Sequence, residues 1–335
     1  MQKCSWPWLV LLSLFFIGCS RSPRVVLYTS VDQVYAEQIS HRFEEKTGIR
    51  VELLTDTEAT KTVGLTQRLV AERVRPQADV FWNNEVLNTA ALAQEGVLTA
   101  YRSPEAATIP NEWIDPEGRW VGFALRARAI VYNTEKVSRD EAPKSIFELT
   151  EPRWRGKVAM ANPLFGTAFT HAVALFEHLG AERTKAFFRA LKDNGTLIVD
   201  GNSMVRDLVA RGDAWLGLTD TDDVFVGKAK GWKIDLVVPD QNGIGVCLIP
   251  NTVALVQGGR HAAEARKLID FLVSAEIERL LAESEGHNTP VRPDVASPEP
   301  ARLLLKARPM SVDWSKAAKR IREVRAFLEE VFLSK

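Results

Sequence analysis

The sequence predicts an α/β protein made of two units, each a mainly parallel sheet flanked by helices. Three observations predict it. Apolar runs of strand length alternate with stretches whose apolar residues recur at helical spacing. The alternation breaks over 102–118, which is rich in proline and polar residues, and restarts near residue 143. Two long apolar extended runs, 121–133 and 246–256, stand at the junctions. They imply that the chain crosses into a second unit and returns, which leaves two strands as a hinge between lobes.

The elements follow in order. Residues 24–28 read as a buried strand, and 34–45 as a helix with Val34, Ile39 and Phe43 on one face; Gly48 stands just past its end. A strand over 49–54, a helix over 63–73, a strand over 78–82 and a helix ending at Gln94 complete a βαβαβα pattern. Right-handed crossovers make that pattern a parallel sheet with helices on its faces. In the second unit, strand 154–160 precedes helices over 167–179 and 183–194. Strand 195–200, helix 203–211, strand 214–218 and strand 234–239 come next. After the second crossing run, which Pro250 interrupts, helices are expected over 261–273 and 275–282. The tail from 301 to 333 reads as mostly helical. The expected division is lobe 1 over 24–128, lobe 2 over 129–249, a return to lobe 1 over 250–295, and a C-terminal helical tail over 296–335.

With 335 residues, 46% of them hydrophobic and 26% charged, the chain has enough apolar material for a large core. Lys+Arg and Asp+Glu are both 43, so there is no overall basic excess of the kind that a phosphate backbone selects, and no nucleic-acid partner is expected. Residues 1–18 read as a signal peptide. Lys3 supplies a positive start, and the apolar run from Trp6 to Gly18 is too short to span a bilayer. Phe16-Ile17-Gly18-Cys19 resembles a bacterial lipobox, which prefers Leu where Phe16 stands; it implies lipidation at Cys19 and a lipid-anchored protein outside the cytoplasm. The cysteines are Cys4, Cys19 and Cys247. Too few remain for a disulfide framework, and Cys247, inside an apolar run, reads as a buried structural thiol.

In open parallel sheets ligands bind beyond the carboxyl ends of the strands. Those ends gather Thr29, Ser30, Asp32 and Gln33; Thr55, Asp56, Thr57 and Glu58; and Asn83, Asn84 and Glu85. In the second unit they gather Asn162, Gly166 and Thr167; Asp200, Asn202 and Ser203; and Thr219, Asp220, Thr221, Asp222 and Asp223. Helix capping or turn formation is the simpler role for any one of them. Six loops rich in oxygen donors together point to a polar ligand of hydroxyl, anionic or metal character. Helix starts at Thr60-Lys61, Gly166-Thr167 and Asn202-Ser203 suit an oxyanion or a plain cap. Asp220, Asp222 and Asp223 lack the glycine and distal glutamate of a calcium loop; they read as a solvated turn, as hard-cation ligands, or as acceptors for sugar hydroxyls. His171 and His178 share a helix face without a metal signature, and His41, His261 and His287 are isolated. No nucleophile elbow, H-E-x-x-H motif or P-loop is present, so the chain is not read as an enzyme.

Four stretches carry a family resemblance. They are VVLYTSVDQVYAEQISHRFEEKTGIRVELL, ADVFWNNEVLNTAALAQEGVL, ELTEPRWRGKVAMANPLFGTAFTH and GVCLIPNTVALV. Together they resemble the bacterial extracellular solute-binding proteins of ABC importers over about residues 24–295, nearest to the ferric-ion-binding periplasmic group. The resemblance implies the two-lobed periplasmic-binding-protein fold, with a ligand clamped by hinge closure. It also implies ABC permease and ATPase subunits as partners, a monomeric state, and a cargo rather than a resident cofactor.

Carried over by position, the resemblance puts Asp32 near the group's first ligand and Glu85 near its glutamate. It puts Asp222 and Asp223 where two adjacent tyrosines supply phenolates, and Gly166-Thr167 and Asn202-Ser203 where an anion is held. The missing tyrosines are the chief departure, since Tyr28 and Tyr35 are the only tyrosines near the first loop. The expected cargo is iron(III) or another hard ion on Asp32, Glu85, Asp222 and Asp223 with a synergistic anion. The rival is a phosphorylated or polyhydroxylated organic solute in the same cleft.

Overall fold

The computed structural model describes residues 22–56 and 63–333. The 1–18 segment, Cys19, Thr57, Glu58, Thr60 and Lys61 lie outside the described residues. Lobe 1 opens with β1 (Arg24–Thr29), α1 (Gln33–Thr47), β2 (Arg50–Thr55), α2 (Val63–Ala71), β3 (Val80–Asn83), α3 (Leu87–Gln94) and β4 (Leu98–Thr99). The long β5 (Val121–Asn133) crosses to lobe 2. That lobe holds β6 (Val158–Ala161), α4 (Gly166–Leu179), α5 (Ala181–Asp193), β7 (Leu197–Val199), α6 (Asn202–Arg211), β8 (Leu216–Asp220), α7 (Thr221–Ala229) and β9 (Ile234–Val237). The chain returns along β10 (Leu248–Val256) to α8 (Ala262–Leu272) and α9 (Ala275–Glu283), and ends in α10 (Trp314–Lys319) and α11 (Ile321–Phe332).

Local chemistry accounts for these elements. Helix α1 turns Ala36, Ile39 and Phe43 inward. Gly48 ends it at φ 69°, where a side chain would be strained, and its N–H returns 2.8 Å to the Glu44 carbonyl. All thirteen residues of β5 are buried, including two arginines; a strand covered on both faces reads as a continuous run.

The ladders explain the crossing. Strand β1 pairs in parallel with β2 and β3, and β6 in parallel with β7 and β8. Every ladder made by β5 or β10 is antiparallel. Residues 121–127 of β5 pair with β10, whereas 128–133 pair with β8 and β9. One strand thus serves both lobes, and each parallel core is bordered by antiparallel crossing strands.

The crossing carries a local irregularity. The β5–β10 register shifts between Pro250 and Asn251, as expected where proline brings no N–H to the ladder. Opposite the shift, Ala124 sits at φ 48°, a costly region for a residue with a Cβ. Its neighbours hold it there: Asn251 Nδ2 donates to the Ala124 carbonyl at 2.7 Å, and the Ala124 N–H donates to Glu278 Oε1 at 3.1 Å. Glu278 is itself paired with Arg292 at 2.7 Å, and both are fully buried.

One feature differs from the sequence expectation and two refine it. Residues 221–223 are the first turn of α7 rather than a solvated turn, since Asp220 stands in extended conformation just before a helix whose Val224 is buried. Pro250 interrupts the second crossing run only as a shift of register, and the strand continues as β10. The tail is mostly helical, but its first segment, 300–306, is 3₁₀, and Pro309 then bridges to Val246 before α10 begins. Helix α10 lies against both α3 and α4. Gln94 Nε2 donates to the Ser315 carbonyl at 2.7 Å, and His178 Nδ1 bonds the Ser311 carbonyl at 2.9 Å. Cys247 is buried, and burial pushes its thiol up to about 12.

Candidate functional site

A cavity of about 440 Å³ lies between the lobes. Lobe 1 contributes Asp32 and Tyr35 at the start of α1, Asn84 after β3, Asn251 of β10, and Ser284 and Asn288 beyond α9. Lobe 2 contributes the starts of α4, α6 and α7, through Gly166, Thr167, Ala168, Asn202, Ser203, Asp222 and Asp223. Arg126 of β5 forms part of the floor between them.

Two glycines place the lobe 2 wall. Gly166 begins α4 at φ 51°, which lets the loop turn sharply into the helix. A methyl group at Gly217 of β8 would overlap Val205 of α6, so only glycine lets α6 lie flat on the strand with its first turn at the cavity. The α4 and α6 starts have no side-chain cap. The first N–H groups of a helix have no partner within it and carry its partial positive charge.

Beneath these starts is a buried polar network centred on Asp220. Its Oδ1 meets Arg128 Nη1 at 2.6 Å. Its Oδ2 accepts from Thr167 Oγ1 at 2.5 Å and from Asn202 Nδ2 at 2.9 Å. Arg128 also donates to Asn202 Oδ1 at 3.0 Å and to the Leu218 carbonyl at 3.1 Å. The side chains of Thr167, Asn202 and Asp220 are therefore committed to one another.

Carboxylates converge above that network. One oxygen each from Asp220, Asp222 and Asp223 lie within 4.8 Å of one another. Asp223 is held well above the usual carboxylate range by burial first, then by Asp222, Asp220 and Asp32; Arg206 opposes this weakly from 4.0 Å. Arg126 lies 3.4 Å from Asp220 and 3.9 Å from Asp222. Burial works against its charge, but Asp222, Asp220, Asp32 and Asp223 together raise its pKa. The Tyr35 phenol is raised by burial and by Asp222 and Asp32, and partly relieved by a hydrogen bond with Ser284. The wall is thus acidic, with two guanidiniums at its edges.

The structure separates the sequence-derived candidates. Asp32, Asn84, Gly166, Thr167, Asn202, Ser203, Asp220, Asp222 and Asp223 line the cavity. Ser30 does not: it is buried, donating to Asn83 Oδ1 at 2.5 Å. Gln33 points along the outside of α1, where Nε2 donates to Glu37 at 2.6 Å. Glu85 is fully buried and absent from the cavity wall. It accepts from the Leu87 N–H at 2.5 Å, from Asn83 Nδ2 at 2.9 Å and from Thr170 Oγ1 at 2.8 Å. Burial raises its pKa, against those hydrogen bonds. Its carboxylate caps the start of α3.

Sequence reasoning missed Arg126, Arg128 and Arg206. The first two alternate with Leu125, Ala127 and Ala129, and that period-two placement of charge within a strand was the available signal.

The fold and an interlobe cavity with polar walls define a solute-binding protein, and the chain belongs to the family of bacterial extracellular solute-binding proteins, whose model matches residues 76–320. That family consists of transport components. Among relatives, the chain is 27% identical over 269 residues to Iron uptake protein A1 of a Synechocystis strain, covering 77% of this chain and 71% of that one. Iron-bound HitA of Pseudomonas aeruginosa has the same fold, at a TM-score of 0.80 and 22% identity, covering 92% of this chain and 99% of that one. So does AfuA of Actinobacillus pleuropneumoniae, solved with fructose-6-phosphate bound, at 0.82 and 22%, covering 93% and 99%.

Proposed function

We propose that the protein is the periplasmic, lipid-anchored capture subunit of an ABC importer, working with permease and ATPase subunits. Its cargo is a hard cation, iron(III) foremost, taken together with an oxyanion. The carboxylates of Asp222 and Asp223 in lobe 2 and Asp32 in lobe 1 take the cation. The open N–H groups at the starts of α4 and α6 take the anion.

The observation that carries this reading is the meeting of Asp222 and Asp223, one oxygen of each within 4.8 Å of the other and of the buried Asp220 beneath them, beside uncapped helix starts. Carboxylates so close raise one another's pKa without a cation between them, as Asp223 does. A cargo that touches both lobes favours the closed arrangement through its differential affinity for it. Relatives named for iron uptake support the choice of ion.

A second reading has its own observation. A cavity of about 440 Å³ is larger than an ion with a small anion requires, and Arg206 and Lys230 stand on its lining. A phosphorylated or polyhydroxylated solute fits that space, with phosphate at the helix starts and hydroxyls on the aspartates. AfuA, of like fold, was solved with a sugar phosphate.

Thermal shift of the metal-stripped mature protein separates the two. A ligand at 100 times its Kd adds about 2.7 kcal/mol. Stabilisation by Fe(III) with carbonate or phosphate, lost in Asp222→Ala/Asp223→Ala, supports the metal cargo. Stabilisation by a sugar phosphate and not by Fe(III) replaces it with the organic one.

A further inference from the structure

We infer that Asp220 is a positioning residue for the oxyanion and not a ligand of the cargo, an inference that rests on the proposed function. Three helices begin around it: α4 at Gly166, α6 at Asn202 and α7 at Thr221. Asp220 is 2% exposed. It accepts from Thr167 of the first helix and Asn202 of the second, and is paired with Arg128 of the crossing strand. The positive ends of three helix dipoles and a guanidinium offset its burial. With both oxygens committed, it has little left to offer a cation. What it does is fix two uncapped first turns at one separation, both on the cavity wall.

Asp222 and Asp223, two and three residues later in the first turn of α7, take the cation instead. The wall therefore has two separable halves. A neighbouring negative charge repels an anion, so a purely electrostatic role for Asp220 and a positioning role predict opposite effects when the charge is removed.

The test is calorimetric titration of Asp220→Asn with inorganic phosphate alone and with metal alone. Positioning predicts phosphate affinity at least tenfold weaker despite the lost negative charge. Metal affinity should stay within about threefold, and amide exchange should rise in the first turns of α4 and α6 only. Unchanged or tighter phosphate binding overturns the inference, as does parallel loss of metal and phosphate, which would make Asp220 a ligand. If Asp220→Asn does not fold, Asp220→Asn/Arg128→Gln removes both buried charges together, and the same phosphate loss is expected of it. A wild type that takes up neither probe sinks the proposed function itself; a wild type that binds both while the variant's phosphate affinity holds sinks only the role of Asp220.

Discussion

The Glu85 carboxylate accepts a 2.8 Å hydrogen bond from the Thr170 hydroxyl, joining the loop after β3 to α4 of the other lobe. The same carboxylate caps α3 through the Leu87 and Asn88 N–H groups. Glu85→Ala strands several buried donors at once and should cost about 2–4 kcal/mol in urea unfolding. Cargo stoichiometry should not change. A variant of wild-type stability that has lost the cargo would return Glu85 to the binding wall.

Asp223 offers a test of sign. Its folded pKa is raised, so ionisation costs stability. The cost is absent at low pH, grows as pH rises through the usual carboxylate value near 4, and persists above the folded value. Ligand-free Asp223→Asn should therefore melt higher than wild type at pH 7, with the gap closing toward pH 4, while cation affinity falls at least tenfold. Calorimetric scans across that range check both halves, and a lower melting point at pH 7 would contradict the first.

His171 should shape the acid limb. It is buried in α4, and burial, then Arg128, hold its pKa well below the usual value. The folded state keeps it neutral while the unfolded chain takes up a proton below about pH 6.5. Stability is lost as pH falls through that point, at up to about 1.4 kcal/mol per pH unit. His171→Gln should flatten the stability profile between pH 6.5 and 4.5, and an unaltered slope would show that other groups dominate.

Arg292 and Glu278 form the buried pair that supports strained Ala124. Arg292→Met leaves an unpaired carboxylate in the core and should cost about 3–5 kcal/mol. Glu278→Gln/Arg292→Met should recover part of that loss. A double variant no more stable than the single one would show that hydrogen bonding to the Ala124 and Val291 N–H groups, rather than charge, is what the pair supplies.

Periodicity made the framework legible. The span of β5 follows from a long, mainly apolar extended run, and α1 from Ile39 and Phe43 with Gly48 behind them. The start of α7 was hidden because Thr-Asp-Thr-Asp-Asp has the composition of a turn, and only the burial of Val224 makes it a helix. The cleft was legible as a set of strand ends, but not which oxygens face it. Asn84 and Glu85 are adjacent in sequence, yet one side chain lines the cavity and the other caps α3 from within. No spacing rule distinguishes a carboxylate held by Arg128, Thr167 and Asn202 from its less buried neighbours two and three residues on, because those partners come from three distant segments.

Helix α4 carries Gly166 at the cavity and His178 at the tail, and its 14 residues set those two points about 20 Å apart. The tail also grips α3 through Gln94. On the closure proposed above, that far end would serve as a fastening, with the proposed binding groups at the free ends of the two halves. A swing of about 10° about the fastening moves a group 20 Å away by about 3.5 Å, farther than any hydrogen bond stretches. On that proposal, small adjustments where the tail is anchored would be magnified at Asp32, which lines the cavity with Asp222 and Asp223 of the other lobe.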